Sequence, residues 1–192
     1  MCASLCYELA NTLKVLQKCA ESSHYYTKCY FYCVKQAKST DPPQNDAFSE
    51  FGDSVNRDIS HSMELDAIQK AVDCLLEIKD FEMAVLRIKI YINILEERIE
   101  NFNNDSLGLG ENRKIVEWRP IYKIFVRQWM NAQLTLLIVL LLQKRKEEAS
   151  EILEALYSGD DNGWIAREFP FIYENVLPIF DALNVSCIVN LF

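Results

Sequence analysis

Apolar residues recur at three- and four-residue intervals along most of this 192-residue chain. The pattern begins with Leu9, Leu13 and Leu16 and returns over residues 63–101 and 120–157. Such an interval places apolar side chains on one face of an α-helix, whereas a half-buried strand requires strict alternation. Gly and Pro number only five each, so few positions interrupt the pattern. The sequence predicts an all-α protein of about six to eight helices packed as antiparallel hairpins.

The same pattern predicts where the helices begin and end. The first helix should span residues 3–21 and reverse at Ser22-Ser23 into a second helix over 24–37. Two further helices should meet at Lys79-Asp80. Pro120 suits the first position of the next helix, because a proline there sacrifices no intrahelical hydrogen bond. Another helix should cover 146–157, followed by a turn over 158–163, a last helix over 164–183 and an apolar tail.

Two stretches lack a helical period. Residues 39–62 contain Pro42-Pro43, Gly52 and many Asp, Asn and Ser residues, which predict a flexible acidic linker. Residues 102–112 contain two glycines and predict a loop. The length suits one domain with a sizeable core. The sequence therefore predicts a single helical domain over residues 1–192.

Charge and cysteine content exclude some classes of protein and favour others. The chain has 20 Lys and Arg residues against 28 Asp and Glu, a net charge of −8, which makes nucleic-acid binding unexpected. Seven cysteines cannot all pair, and the N-terminus lacks the pattern of a signal peptide, so we expect reduced thiols in the cytoplasm or nucleus. The longest apolar run, residues 134–142, is too short to span a membrane and predicts a buried core helix instead.

Parts of the chain resemble the tetratricopeptide repeat, a helix–turn–helix unit of about 34 residues. The first such part carries Ile68, Ala71, Val72, Leu75, Asp80, Phe81, Ala84, Ile88 and Tyr91. The second carries Leu136, Leu137, Leu140, Ala149, Leu153 and Leu156. Ala84 and Ala149 match the small residue at which the two helices of the repeat cross. The resemblance implies an irregular solenoid with a concave peptide-binding groove, although a helical bundle would carry similar spacing.

Four cysteines form the sharpest candidate for a metal site. Cys2 and Cys6 are four residues apart, as are Cys29 and Cys33, so each pair shares one helix face and four thiolates suit zinc or an iron–sulfur cluster. A reversal at Ser22-Ser23, however, places Cys29 and Cys33 two to three helical turns from the other pair, since facing residues are equidistant from the turn. We therefore predict no metal site, and we expect these thiols to pack as small apolar groups.

No catalytic pattern stands out in the sequence. The two histidines, His24 and His61, have no partnered nucleophile nearby, and the glutamate pairs at 96–97 and 147–148 suit solvated helix faces. Gly108 and Gly110 lack the third glycine and the preceding strand of a phosphate-binding loop. The sequence thus predicts neither a cofactor nor enzymatic activity. The alternative is an enzyme or small-molecule sensor with a pocket between helices.

Two groups of residues are candidates for binding a partner protein. Arg119, Lys123 and Arg127 repeat every four residues on one helix face, where they could receive an acidic segment of a partner beside Trp118 or Trp129. The second group belongs to a run of aromatic residues that covers both faces of its helix, and we single out Tyr25 and Tyr32. Each group also has an interpretation that needs no partner. The tyrosines would pack within the chain, and the basic residues would pair with acidic residues of the same chain. We expect a protein–protein interaction scaffold or adaptor, a subunit of a larger complex.

Overall fold

Six helices form the described part of the computed structural model. It describes the backbone of residues 2–39, 50–108 and 120–158, and the side chains of 2–36, 62–102 and 120–156. In chain order the helices are α1 Ala3–Val15, α2 Cys19–Ser39, α3 Glu50–Glu77, α4 Phe81–Gly108, α5 Pro120–Leu142 and α6 Lys146–Ser158. No strand occurs within these ranges, which confirms the all-α prediction.

The chain divides into two compact units, Met1–Tyr91 and Ile92–Phe192. In the first unit α2 packs between α1 and α3, and all three helices contribute buried residues to each of two small clusters. Tyr91 of α4 adds a hydrogen bond from its hydroxyl to Gln69 Oε1, at 3.2 Å. In the second unit α5 packs against α6. The buried face of α5 is almost entirely aliphatic, which agrees with its prediction as a core helix.

The turns after α1, α3 and α5 have the same backbone geometry. Each contains one residue in the left-handed region, Gln17, Lys79 or Lys144, with φ of 59°, 59° and 61°. In every turn this residue and the next donate backbone N–H groups to the preceding helix, a pattern known as the Schellman motif. The bonds run from Gln17 to Lys14, Lys18 to Leu13, Lys79 to Leu76, Asp80 to Leu75, Lys144 to Leu141 and Arg145 to Leu140. Three helical hairpins can therefore be aligned on their turns.

The alignment places a small buried residue at one position in each hairpin. Ser22, Ala84 and Ala149 all lie five residues after the left-handed residue, and all are completely buried. In the first hairpin the Ser22 hydroxyl donates to the backbone carbonyl of Ala10, at 2.8 Å, so α2 crosses close to the backbone of α1. A large side chain at this position would separate the helices.

The predicted reversal at Ser22-Ser23 is wrong, because α1 ends at Val15 and the turn covers residues 16–18. No Gly or Pro marks this turn in the sequence, whereas paired serines commonly cap helices. Here both serines lie inside α2 and bond to neighbouring backbone instead, Ser22 to Ala10 and Ser23 to Ala71 at 3.2 Å. The error shifts the facing residues of the hairpin by almost three helical turns.

The predicted linker and loop are partly helical. The backbone is helical from Glu50 and up to Gly108, so helix covers residues 50–62 and 102–108 of those stretches. A helix that is already formed extends at little cost, because each added residue gains one hydrogen bond, and no apolar face is needed for this. The rest of the predicted linker and loop, the predicted last helix and the apolar tail lie outside the described residues.

Candidate interaction surfaces

A network of two tyrosines, an aspartate and a lysine connects the helices of the first unit, and we call Tyr7, Tyr26, Asp66 and Lys70 the Tyr–Lys network. The Tyr7 hydroxyl donates to the Asp66 carboxylate, and the Lys70 ammonium donates to the Tyr7 oxygen. Lys70 Nζ is 3.2 Å from Asp66 Oδ2 and 4.7 Å from the centre of the Tyr7 ring. This single ammonium group therefore makes an ion pair, a hydrogen bond and a cation–π contact.

Tyr26 is the fully buried member of the network. Its hydroxyl donates to Asn11 Oδ1 at 2.6 Å, and its ring meets the edge of the Tyr7 ring at 5.6 Å. Since Tyr26 lies on α2, Tyr7 and Asn11 on α1, and Lys70 on α3, the network joins three helices. No sequence pattern predicted the Tyr–Lys network. The four-residue spacing of Asp66 and Lys70 was the one available signal, and it predicts only a pair on the surface of one helix.

The network holds its lysine in the charged form. Partial burial lowers the pKa of Lys70, but the hydrogen bonds with Tyr7 and Asp66 outweigh it and raise the pKa above its usual value. Burial raises the pKa of Tyr7 and brings the pKa of Tyr26 to about 12. At neutral pH these groups are an ammonium and two phenols, so neither a neutral amine nor a phenolate is available as a base. Their arrangement suits a structural role.

Stability should fall as the pH rises from 10 to 12. Burial raises the pKa of both Tyr26 and Tyr91 to about 12, from 10.0, so the unfolded chain loses these protons first. The native state then binds more protons than the unfolded state, and the free energy of unfolding falls with rising pH. Urea midpoints measured across this range should decline steeply for the wild type and less steeply for the double variant Tyr26→Phe with Tyr91→Phe. Equal slopes would contradict this assignment.

The corrected position of the first turn brings three of the four candidate cysteines together, whereas Cys2 is exposed. Cys6, Cys29 and Cys33 are buried in one cluster, contrary to the separation predicted from a reversal at Ser22-Ser23. A hydrogen bond with Cys33, together with burial, raises the pKa of Cys29, and burial raises the pKa of Cys6. The thiols of Cys6 and Cys29 therefore stay protonated at neutral pH, and none of the described cysteines forms a disulfide bond. Within the described ranges, no group of three or more His, Cys, Asp or Glu residues is arranged to hold a metal ion.

The predicted basic residues of the second unit differ in their surroundings. Arg119 and Trp118 lie outside the described residues. Lys123 is half-buried and has an interaction partner within the chain, whereas Arg127 is exposed and has no ion pair among the described side chains. The Trp129 indole N–H donates to Glu96 Oε1 on α4, at 2.9 Å. Of the two described basic residues in the predicted group, Arg127 is thus the exposed one.

Side chains of α4 pack along the first half of α5 in the second unit. Besides the bond between Trp129 and Glu96, the Phe102 ring lies 5.9 Å from the Tyr122 ring, and the Arg98 guanidinium is 6.0 Å from the centre of the Phe125 ring. At these contacts two charged residues of α4, Glu96 and Arg98, therefore meet aromatic side chains of α5.

The predicted tyrosines of the first unit lie beside its core. Tyr25 is half-buried against the cluster that contains Tyr26, with the Lys28 ammonium 5.1 Å from the centre of its ring. Tyr32 is half-buried against the cluster of three cysteines. Both side chains therefore pack within the chain, as the interpretation without a partner predicts, and each keeps part of its surface in solvent. Tyr25 and Tyr32 belong to the first unit, whereas Arg127 belongs to the second.

The opposite face of α5 exposes large apolar residues. We call it the α5 stripe, and it comprises Ile121, Ile124, Arg127, Asn131, Ile138 and Leu142. The four apolar side chains are 50, 54, 49 and 60% exposed, in chain order. Thr135 lies between Asn131 and Ile138, and its hydroxyl donates to the backbone carbonyl of Asn131 at 2.8 Å. The stripe thus has an apolar group at each end, with Arg127 and neutral polar groups between them.

Comparison of the chain with family models, with curated proteins and with solved structures gave no match. The function of these surfaces is therefore inferred from the described residues alone. The α5 stripe is the more informative of them, because it leaves apolar surface in contact with water, whereas the Tyr–Lys network satisfies its own polar groups.

Helix α5 also has the length and composition of a membrane-spanning helix. It is 23 residues long, its most apolar window has a mean hydropathy of 1.5, and 39% of that window is buried. The apolar run over 134–142 is too short to span a membrane, but it is only part of this helix. Core helices of soluble proteins have the same length and composition. The buried face of α5 against α6 and the α4 side chains accounts for part of its apolar character.

Proposed function

We propose that this protein is a non-catalytic scaffold or adaptor that binds another protein and forms part of a larger complex in the cytoplasm or nucleus. The α5 stripe carries the proposal. Exposing four large aliphatic side chains on one helix face is unfavourable in water, and burying them against a partner would recover the hydrophobic contribution. An arginine among apolar residues is typical of protein interfaces, in which Arg is enriched and Lys depleted.

The three equivalent hairpins support an irregular solenoid of the tetratricopeptide-like kind as the finer description of the fold. The turns are the same, and the small buried residue recurs at the same position in each hairpin. Six residues before the left-handed residue, the first helices of the hairpins carry Asn11, Asp73 and Ile138. The α5 stripe includes Ile138, so it lies on the first helix of its hairpin, at a position equivalent to Asn11 of α1 and Asp73 of α3.

The partner should depend on Arg127. We expect affinity purification with the full-length chain from its native cell to recover a partner chain, and the variant Arg127→Glu to lose it. Reversing the charge removes a favourable pair with an acidic segment and replaces it with repulsion. The test changes the charge of Arg127 and leaves Lys123 in place, because Lys123 already has an interaction within the chain.

A matched control is Lys35→Glu on α2, since Lys35 is exposed and the substitution changes the net charge by the same amount. This variant should retain the partner. The melting temperature of Arg127→Glu should equal that of the wild type, which shows that the fold is intact. Retention of every copurifying chain by Arg127→Glu, or a large loss of thermal stability in that variant, would refute Arg127 as a partner contact.

A further inference from the structure

We infer that the α5 stripe receives a single amphipathic helix of the partner, and that this helix places a carboxylate against Arg127 between two groups of apolar side chains. The inference rests on the proposed function and specifies the chemistry of the partner. Three features of the stripe support it: its shape, the separation of its apolar groups, and the charge between them.

The stripe is straight and narrow enough to match one helix. Successive residues of an α-helix are rotated by about 100°, which confines all six residues of the stripe to about a third of the circumference of α5. The residues follow one another at intervals of three or four positions, apart from one gap of seven that Thr135 fills. A helix laid along such a row can contact it over several turns, as ridges of one helix pack into grooves of another.

The two apolar groups are separated by a distance that a helix spans easily. Ile124 and Ile138 are 14 residues apart, which corresponds to about 21 Å along the helix axis at 1.5 Å per residue. Arg127 is one turn from Ile124, so the charge lies close to one apolar group and far from the other. The partner helix should therefore carry its acidic residue about one turn inside the apolar group that faces Ile121 and Ile124, with neutral polar residues facing Asn131 and Thr135.

Charge complementarity identifies that residue as acidic. Arg127 is exposed and makes no ion pair with any described side chain, in contrast to Lys14, Lys70 and Arg145, each of which lies within 4 Å of a carboxylate. The apolar side chains of Ile121 and Ile124, within two turns of Arg127, would exclude water from one side of a pair formed there, which strengthens the attraction. The rest of the chain, at a net charge of −8, offers little attraction to an acidic segment. The position of the partner is thus set by this one cation.

A membrane surface suits the stripe less well than a helix. Anionic lipids attract clusters of several Lys and Arg residues, whereas the stripe presents Arg127 alone and the chain as a whole is acidic. Asn131 and Thr135 also interrupt the apolar face at its centre. Binding of the chain to lipid vesicles through this stripe would therefore overturn the inference.

The test uses two synthetic helical peptides of about 20 residues with identical apolar positions. One carries Glu at the position that faces Arg127, and the other carries Lys there. Fluorescence anisotropy with the full-length chain should show at least about tenfold tighter binding of the Glu peptide. The variant Arg127→Glu should reverse the preference, Lys35→Glu should leave it unchanged, and Ile138→Asp should weaken both peptides. Arg127→Lys keeps the charge and should keep the preference for the Glu peptide. This variant tests the inference even if Ile138→Asp fails to fold.

Several results would overturn the inference. These are equal binding of the two peptides, an unchanged preference in Arg127→Glu, binding of the chain to phosphatidylserine vesicles through Ile138, and a dimer in sedimentation that Ile138→Asp dissociates. The inference can be rejected while the proposed function is retained. Loss of a copurified partner in Arg127→Glu without discrimination between the peptides would retain the proposed function and reject a helical acidic ligand.

Discussion

Replacing Tyr26 with alanine is expected to lower the free energy of unfolding by about 3–5 kcal/mol, the usual cost of removing a large buried aromatic side chain. Tyr26 is completely buried, its ring contacts Tyr7, and its hydroxyl bonds to Asn11. The substitution would leave a cavity where three helices meet and an amide oxygen without its donor. Chemical denaturation followed by circular dichroism measures the loss.

The matched control is Phe31→Ala, because Phe31 lies on the same helix but is 55% exposed. It removes a comparable aromatic ring and should cost much less. Tyr26→Phe separates the two contributions of Tyr26, since it keeps the ring and loses only the hydrogen bond, at about 1 kcal/mol. If Tyr26→Ala and Phe31→Ala were equally stable, the three-helix junction of the first unit would be wrong.

The second large effect is expected at Ala84, which should not accept a large side chain. Ala84 is completely buried near the start of α4, at the position where Ser22 approaches the backbone of the neighbouring helix in the first hairpin. Ala84→Trp would force the helices apart or displace their side chains, at a cost of about 1–3 kcal/mol or more. Thermal and urea denaturation should both show the loss.

Leu86→Trp serves as the control for this substitution, because Leu86 is two residues along the same helix and 53% exposed. Ala149→Trp tests the equivalence of the hairpins and should be as harmful as Ala84→Trp. If Ala84→Trp were no less stable than Leu86→Trp, close crossing of α3 and α4 at Ala84 would be excluded.

The sequence predicted those helices whose apolar period coincides with a terminal signal. Pro120 is the first residue of α5, and the turn at Lys79-Asp80 follows a wide apolar face, so these positions were predictable. The turn after α1 was not, because the apolar spacing continues through Leu16 into the turn, and Gln17, like Lys79, is a non-glycine residue in the left-handed region. The reversal was predicted at the serines of α2 for a related reason. A hydroxyl that caps a helix and one that bonds to a neighbouring helix are the same residue in sequence.

The candidate surfaces were predictable only in part. The basic spacing on α5 pointed to Arg127, but which of its members is exposed depends on how α4 and α5 pack. Periodicity identified the buried face of α5 and could not show that Ile121, Ile124, Ile138 and Leu142 stay uncovered, because an all-round apolar helix usually becomes buried on every side. The Tyr–Lys network needs α1 and α3 side by side, a contact between residues about sixty positions apart that no local pattern contains.

The three Schellman turns have a kinetic consequence. Each joins two helices through three residues, so the two helices of a hairpin meet after closure of a very short loop, at little cost in chain entropy. Proteins dominated by such local contacts fold in microseconds to milliseconds. The docking of α3 on α2 instead brings together residues far apart in the sequence, such as Ser23 and Ala71, at a larger cost in chain entropy. The slowest folding step of the first unit should therefore be the assembly of preformed hairpins, and substitutions at the α2–α3 contact should alter its rate more than substitutions at the turns.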